Sequence, residues 1–224
     1  MASVSLNHPL KVSSSPEWNA LAARLAVARN LHFLGPGDIA GHLEHSMAFA
    51  RVVTPPRHLA VDLGSGAGVP GLVLACLWPD SRWLLVESNQ RRAEFLERSL
   101  PPLGLTGRVV VVCARAEVVC RQPVYRATAD LAVARGFGPP AVTAECASPL
   151  LRSGGILVVA EPPGGRPERW PPSALADLGM VPVGVVADPV AIQLLRQETP
   201  CPDRYPRRVG VPAKRPLWVA PGST

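Results

Sequence analysis

The 224-residue sequence predicts an α/β fold, a Rossmann-like, doubly wound sheet of seven strands, mostly parallel with the last strand antiparallel, behind a small N-terminal helical cap. Three observations carry this expectation. Short, Val-rich apolar runs at 58–63, 82–87, 108–113, 129–133 and 155–160 alternate with amphipathic segments at 69–77, 89–100 and 138–151. That is the pattern of buried parallel strands joined by helical crossovers. Two further runs, VPVGVVAD and AIQLLRQE, are separated only by Pro189 and Val190, a link too short for a parallel crossover, so this pair is antiparallel. Finally, the first run passes directly into a glycine series, VDLGSGAGVPG.

Taken in order, the first dozen residues read as unstructured, and Ser15 caps a helix with Pro16 in its first turn, where the missing N–H is harmless. That helix should run to about Asn30. A second helical stretch, Asp38 to Val53, is bounded by LGPG before it and TPP after it. These two helices make residues 1–54 the cap, leaving 55–200 as the sheet-bearing core and 201–224 as a basic tail that completes it. Pro-rich pieces at 161–172 and 199–216 read as loops, and no internal repeat is present.

Bulk properties narrow the function. A chain this long buries roughly 70–75% of its unfolded surface, so it does not depend on disulfides. Cys76, Cys113, Cys120, Cys146 and Cys201 are scattered, with no Cys-x-x-Cys and no nearby histidine pair, so no metal site is expected. There is no signal-like opening segment and no apolar run approaching ~20 residues; a soluble, cytoplasmic monomer is the expectation. Lys and Arg outnumber Asp and Glu by 23 to 17, giving +6. Arg204, Arg207, Arg208, Lys214 and Arg215 face Asp203 alone in the last 25 residues, so most of that excess lies in the tail. A local cationic patch attracts polyanions, although a merely solvated tail has the same composition.

In an open parallel sheet a ligand sits beyond the carboxyl ends of the strands. Asp62, Gly64, Ser65, Gly66 and Gly68 lie at that point. GAGVPG also satisfies the dinucleotide fingerprint G-x-G-x-x-G, which alone is a weak signal. Asp62 separates the readings: a carboxylate at the strand exit repels a pyrophosphate, whereas it attracts the α-ammonium and sulfonium of S-adenosylmethionine. Glu87 closes the second strand 25 residues later and is placed to accept from both ribose hydroxyls, a role shared by both cofactor classes. Ser88 follows it, and Ala116 and Glu117 come after the third strand, where an adenine ring would lie. D-x-G-x-G-x-G, the strand-two acid and the antiparallel final pair together resemble a class I S-adenosylmethionine-dependent methyltransferase.

The acceptor is read from the exit of strand four, LAVARGFGPP. It carries neither the Asn/Asp-Pro-Pro-aromatic turn of exocyclic-amine methylation nor a cysteine nucleophile. Arg135 stands there instead, and a guanidinium is no base at neutral pH. The acceptor should therefore need no proton removed, as with guanine N7. A salt bridge at the sheet edge is the alternative role for Arg135.

At this point the sequence resembles the RsmG (GidB) family, the bacterial 16S rRNA guanine-N7 methyltransferases. The matching pieces are VDLGSGAGVPGLVLA, VESNQRRAEFLER, ARAE, AVARGF, SPLLRSGG and YPRRVGVPAKRPL, spread over about 58 to 217. The resemblance implies a guanine in the 530 loop of small-subunit rRNA as substrate, presented in 16S rRNA or the small ribosomal subunit. It also implies that Asp62, Gly64, Gly66 and Gly68 line the cofactor, Glu87 the ribose, Ala116 and Glu117 the adenine, and Arg135 both cofactor and substrate. Arg204, Arg207, Arg208, Lys214 and Arg215 would hold phosphates, which position without specifying. Two departures from the family pattern stand out. Its Arg-His and Asp-Ser pairs become GHLEHSMAF, with His42, His45 and Ser46 but no arginine, and Glu161 replaces a lysine after strand five. His45 is expected to face the cleft or to pack, and Glu161 to accept from guanine N1–H and N2–H. A small-molecule methyltransferase on the same scaffold, or a non-catalytic cofactor-binding paralogue, remains the alternative.

Overall fold

The computed structural model describes residues 16–187 and 189–221. The Ser15 cap and the reading of the first dozen residues fall outside the described residues. In chain order the main elements are α1 (Pro16–Asn30), α2 (Ile39–Val52), β1 (Ala60–Leu63), α3 (Gly71–Leu77), β2 (Trp83–Glu87), α4 (Gln90–Ser99), β3 (Val109–Cys113) and α5 (Ala116–Val119). They continue with β4 (Ala129–Ala134), α6 (Pro140–Ala147), β5 (Leu151–Ala160), α7 (Pro172–Ala176), β6 (Met180–Val186), β7 (Ile192–Gln197) and α8 (Val211–Lys214).

One seven-stranded sheet forms in the order β3-β2-β1-β4-β5-β7-β6, and β7 runs antiparallel to both of its neighbours. The chain leaves β1 for β2 and β3 on one side and returns to its other side for β4, which makes the β1/β4 boundary the switch point where a ligand crevice opens. Register places Leu63 opposite both Val86 and Ala134. The residues at the ends of three strands, Asp62, Glu87 and Arg135, therefore reach the same edge of the sheet.

Alternation along each strand assigns the two faces. Leu85, Leu131 and Val133 pack with Leu21, Leu25, Met47, Phe49 and Leu72 in one layer. Leu84, Val86, Ala132 and Ala134 pack with Leu150, Leu157 and Trp170 in the other. The cap helices thus belong to the first core layer and are not a separate body. Asp38 caps α2 by accepting from the Gly41 N–H at 2.7 Å, and Asn89 caps α4 through the Arg92 N–H at 3.2 Å.

The fifth strand departs from expectation. It starts at Leu151, not 155, with Leu151 opposite Ala129 and then a jump to Ile156 opposite Leu131. A side chain at Gly155 would stand 2.9 Å from the carbonyl oxygens of Ala129 and Arg152, so glycine is required at this irregularity. The segment expected to be helical to 151 ends as α6 at Ala147, followed by a 3₁₀ turn over Ser148–Leu150. Pro149 cannot donate the bond that would extend the helix.

Candidate cofactor and substrate site

Asp62 sits at 1% exposure on β1, and its Oδ2 accepts from the Gly71 N–H at the start of α3, 3.1 Å away. Burial pushes its carboxyl up to about 7; Glu87 adds to the shift, while hydrogen bonds from Ser65 and Gly71 and the charge of Arg135 oppose it. A carboxylate held at such cost favours a cation beside it. The Ser65 hydroxyl also donates to the Asp62 carbonyl at 3.1 Å, closing the turn. Gly64 and Gly68 flank Gly66, whose φ of +55° suits glycine and whose N–H reaches Glu87 Oε2 at 2.9 Å.

The other Glu87 oxygen accepts from the Asn89 N–H at 2.8 Å, so this 5%-exposed carboxylate is held from two sides at the β2 exit. A cavity of about 310 Å³ opens beside it, lined by Gly64, Glu87, Ser88, Ala116, Glu117 and Phe137 among others. That lies in the range of small-molecule pockets. Ala116 and Glu117 are brought to it as expected for an adenine wall, but the Glu117 side chain is engaged elsewhere. Its Oε1 accepts from the Gly210 N–H of the tail at 3.0 Å. Cys146 also lines the cavity, and burial pushes its thiol far up, so it is no thiolate nucleophile.

Arg135 follows β4 directly. Its Nη2 lies 2.8 Å from His42 Nδ1 on α2, and its Nη1 is buried without a partner. Burial holds the guanidinium below its ordinary range, with Asp62 acting against that shift. His45, expected to face the cleft or to pack, lies 6.0 Å from the Phe49 ring, ring centre to ring centre, and its Nδ1 is buried and unpartnered. Burial, with the charges of Arg135 and His42, pushes it down to about 4.

A second cavity of about 320 Å³ lies between the β4 and β5 exits, lined by Phe137, Thr143, Glu161, Arg169 and Trp170 among others. Here the structure redirects one expectation. Glu161 does not present free acceptors to a base: Oε2 pairs with Arg169, and Oε1 accepts from Trp170 Nε1 at 3.1 Å. The tail is redirected at one position too. Arg207 does not point at phosphates; its Nε and Nη2 grip the fully buried Glu145 at 2.9 and 2.6 Å. Arg204, Arg208, Lys214 and Arg215 are exposed, and Ala213 of α8 borders the first cavity. Sequence reasoning passed over Phe137, Arg169 and Trp170, and named His42 without giving it a role. Phe137 stood two residues beyond Arg135, but only the folded arrangement shows that it borders both cavities.

The family model described as GidB, rRNA small subunit methyltransferase G, matches residues 26–161. The chain belongs to the rRNA small subunit methyltransferase G family. Two curated relatives carry the name ribosomal RNA small subunit methyltransferase G. The one from Rubrobacter xylanophilus is 43% identical over 171 residues, covering 70% of this chain and 64% of its own length. The one from Moorella thermoacetica is 36% identical over 183 residues, covering 78% of this chain and 76% of its own length. Among solved structures, a SAM-dependent O-methyltransferase from Thermotoga maritima aligns with a TM-score of 0.54 at 14% identity, covering 79% of this chain and 71% of that one. P. horikoshii TYW2 in complex with MeSAdo aligns at 0.53 and 15%, covering 73% and 63%. At such identities the likeness concerns the fold.

This family member is a methyltransferase whose cofactor is S-adenosylmethionine. The residues present fit it: Asp62 offers a buried anion for a cationic donor, and Glu87 stands beside a cavity walled by Ala116 and Phe137. Among the described residues no group of three potential ligands gathers to hold a metal ion, and no helix is long and apolar enough to cross a membrane.

Proposed function

We propose that the chain transfers the methyl group of S-adenosylmethionine to N7 of a guanine in the 530 loop of 16S rRNA. The observation that supports this reading is the chemistry beside Asp62: the group at the strand-four exit is a guanidinium, Asp62 is fully buried with Oδ2 turned to the Gly71 N–H, and among the described residues neither histidine facing Arg135 is a competent base. His42 Nδ1 is engaged by Arg135, and His45 is held near 4, too weakly basic to remove a proton from an amine or hydroxyl. Guanine N7 needs no such removal, because its lone pair is available in the neutral base.

Bound S-adenosylmethionine supplies an electrophilic methyl on a sulfonium. Transfer of that methyl to N7 would release a neutral thioether and leave the charge on the purine, so this chain's residues would have no proton to remove. Asp62 and Glu87 orient the donor, and Phe137 walls the cavity on the β4 side. Arg135, unable to accept a proton, holds O6 or a phosphate and leaves N7 free. Catalysis is then chiefly alignment, for which proximity can supply about 7–11 kcal/mol.

An RNA partner is supported by the exposed Arg204, Arg208, Lys214 and Arg215, on the segment whose Ala213 borders the cofactor cavity. A-form duplex hides N7 in a deep, narrow groove, so the substrate is a looped or unstacked guanine. The test is methyl transfer from labelled cofactor to 16S rRNA and to small subunits, with the modified nucleotide mapped. Label at a guanine N7 in the 530 loop is the expected result; label elsewhere, or only in a small molecule, overturns the proposal.

A further inference from the structure

The geometry points to His42 as the positioning residue of Arg135: a neutral imidazole that fixes the guanidinium and leaves its Nη1 donor presented for use. The inference rests on the role given to Arg135 above. A guanidinium only donates, so His42 Nδ1, 2.8 Å from Arg135 Nη2, must be the acceptor. The ring is then neutral with its proton on Nε2, and Nε2 lies 3.2 Å from the Gly35 carbonyl, which accepts it. Two partners on opposite sides of the ring thus select a single tautomer. The imidazole is 5% exposed, and its own helix holds it further through Ser46, whose hydroxyl donates to the His42 carbonyl at 2.8 Å.

The result is a chain of contacts, from the Gly35 carbonyl in the loop before α2, through His42, to Arg135 at the β4 exit. Arg135 Nη1 is buried and without a protein partner. An orphaned donor on a guanidinium otherwise anchored at Nη2 is a group held ready for an acceptor on a ligand. The charges acting on His42 are its hydrogen-bond partner Arg135, which disfavours its protonation, and Asp38 at the α2 N-cap, which favours it. His45, one turn along α2, in turn feels both His42 and Arg135. No charge from α1 or α3, which also pack on α2, is among those acting on His42. Burial is the largest influence and holds the imidazole below its ordinary range. Protonating it would set N–H against N–H and cation against cation, releasing Arg135.

Two substitutions separate positioning from packing. In His42→Asn the amide oxygen takes the place of Nδ1 and keeps the acceptor for Arg135. In His42→Gln the amide nitrogen takes the place of Nε2, keeping the Gly35 contact and losing that acceptor. At saturating cofactor, His42→Asn is expected to retain kcat within about threefold, and His42→Gln to lose on the order of 10- to 100-fold. The wild type should show an acid limb in its kcat profile, and that limb should vanish in His42→Asn. Equal activity of the two folded variants, or an unchanged acid limb in His42→Asn, overturns the proposal. Nitrogen NMR of the unliganded protein supplies a readout independent of turnover. It should show His42 as the Nε2–H tautomer, titrating below the ordinary histidine range and moving up in Arg135→Ala. An Nδ1–H tautomer rejects the role, whatever the folding of the variants. A wild type that methylates no rRNA while showing the expected tautomer and titration refutes the proposed substrate and leaves the His42–Arg135 contact established.

Discussion

The N–H of Gly71 lies 3.1 Å from Oδ2 of Asp62, and a Cβ on Gly71 would stand 2.4 Å from that same oxygen. The first residue of α3 and the carboxylate at the end of β1 are therefore fitted to each other with no room for a methyl group. Gly71→Ala would also strike Leu85 Cδ2 at 2.8 Å. Overpacking of this kind costs about 1–3 kcal/mol, so the variant should melt lower. Because the atom displaced belongs to Asp62, the carboxylate proposed to receive the cofactor, calorimetry should also show weaker S-adenosylmethionine binding.

Asp62 sets a trade between stability and binding. Its folded value, about 7, lies above the ordinary 3.8. The folded protein therefore holds a proton that the unfolded chain has released, and stability falls as pH rises from about 4 through about 7. Asp62→Asn removes that slope. At pH 8 the unliganded variant should unfold at a higher temperature than the wild type, by an amount corresponding to a few kcal/mol at most. It should bind S-adenosylmethionine far more weakly. In the wild type, a carboxyl at about 7 predicts cofactor affinity about tenfold weaker at pH 6 than at pH 8. Equal affinities at the two pH values would contradict the role given to Asp62.

The basic residues of the tail should divide into two classes. Arg207→Ala removes the guanidinium from the Glu145 carboxylate, which has 0% exposure, and leaves it only the residue-207 backbone N–H at 2.8 Å; removing the charged partner of a buried pair costs up to about 3–5 kcal/mol. Denaturant unfolding should show that loss. Arg208→Ala and Lys214→Ala, on exposed positions, should leave the melting temperature nearly unchanged. Each should instead lower the salt dependence of RNA binding by about one unit of log–log slope. If Arg208→Ala and Lys214→Ala leave that slope untouched, RNA does not lie on the tail.

Arg169→Ala should destabilise the protein in a pH-dependent way. Burial pushes the Glu161 carboxyl up, and Arg169 and Trp170 hold it down. Without the guanidinium the carboxyl moves higher, and the variant's folded state retains its proton over a wider range. The deficit relative to wild type should therefore be larger at pH 8 than at pH 5, as measured by thermal melts at the two values. An equal deficit would mean that the pair contributes packing and no charge pairing.

Local pattern is enough for much of this molecule. The period of the apolar runs yields the strands, and the short Pro189-Val190 link requires the antiparallel pair, because a chain that short has one way to turn. The D-x-G-x-G-x-G series marks the ligand end of β1, since sharp turns and close backbone approach need glycine and a cationic donor needs an acid. Asp62, Gly66, Glu87 and Arg135 were legible for that reason: each sits at a strand exit whose position follows from the pattern.

Tertiary structure alone decided where the remaining charges went. Nothing local distinguishes Arg207 from Arg208, yet only Arg207 meets Glu145, 62 residues away in sequence. His42 and His45 are three residues apart on one helix, and the packing of α2 against α3 and the core layer on that face of the sheet determines which ring meets Arg135, 93 residues from His42. Glu161 was placed correctly after β5, but its partners, Arg169 and Trp170, come from a single 3₁₀ turn, Pro167–Arg169, and the residue after it, in a Pro-rich stretch with no periodicity to read. Burying a charge is costly unless an opposite charge or a hydrogen bond comes with it. That pairing is a property of the assembled chain, and it made structural anchors of residues whose types alone suggested binding.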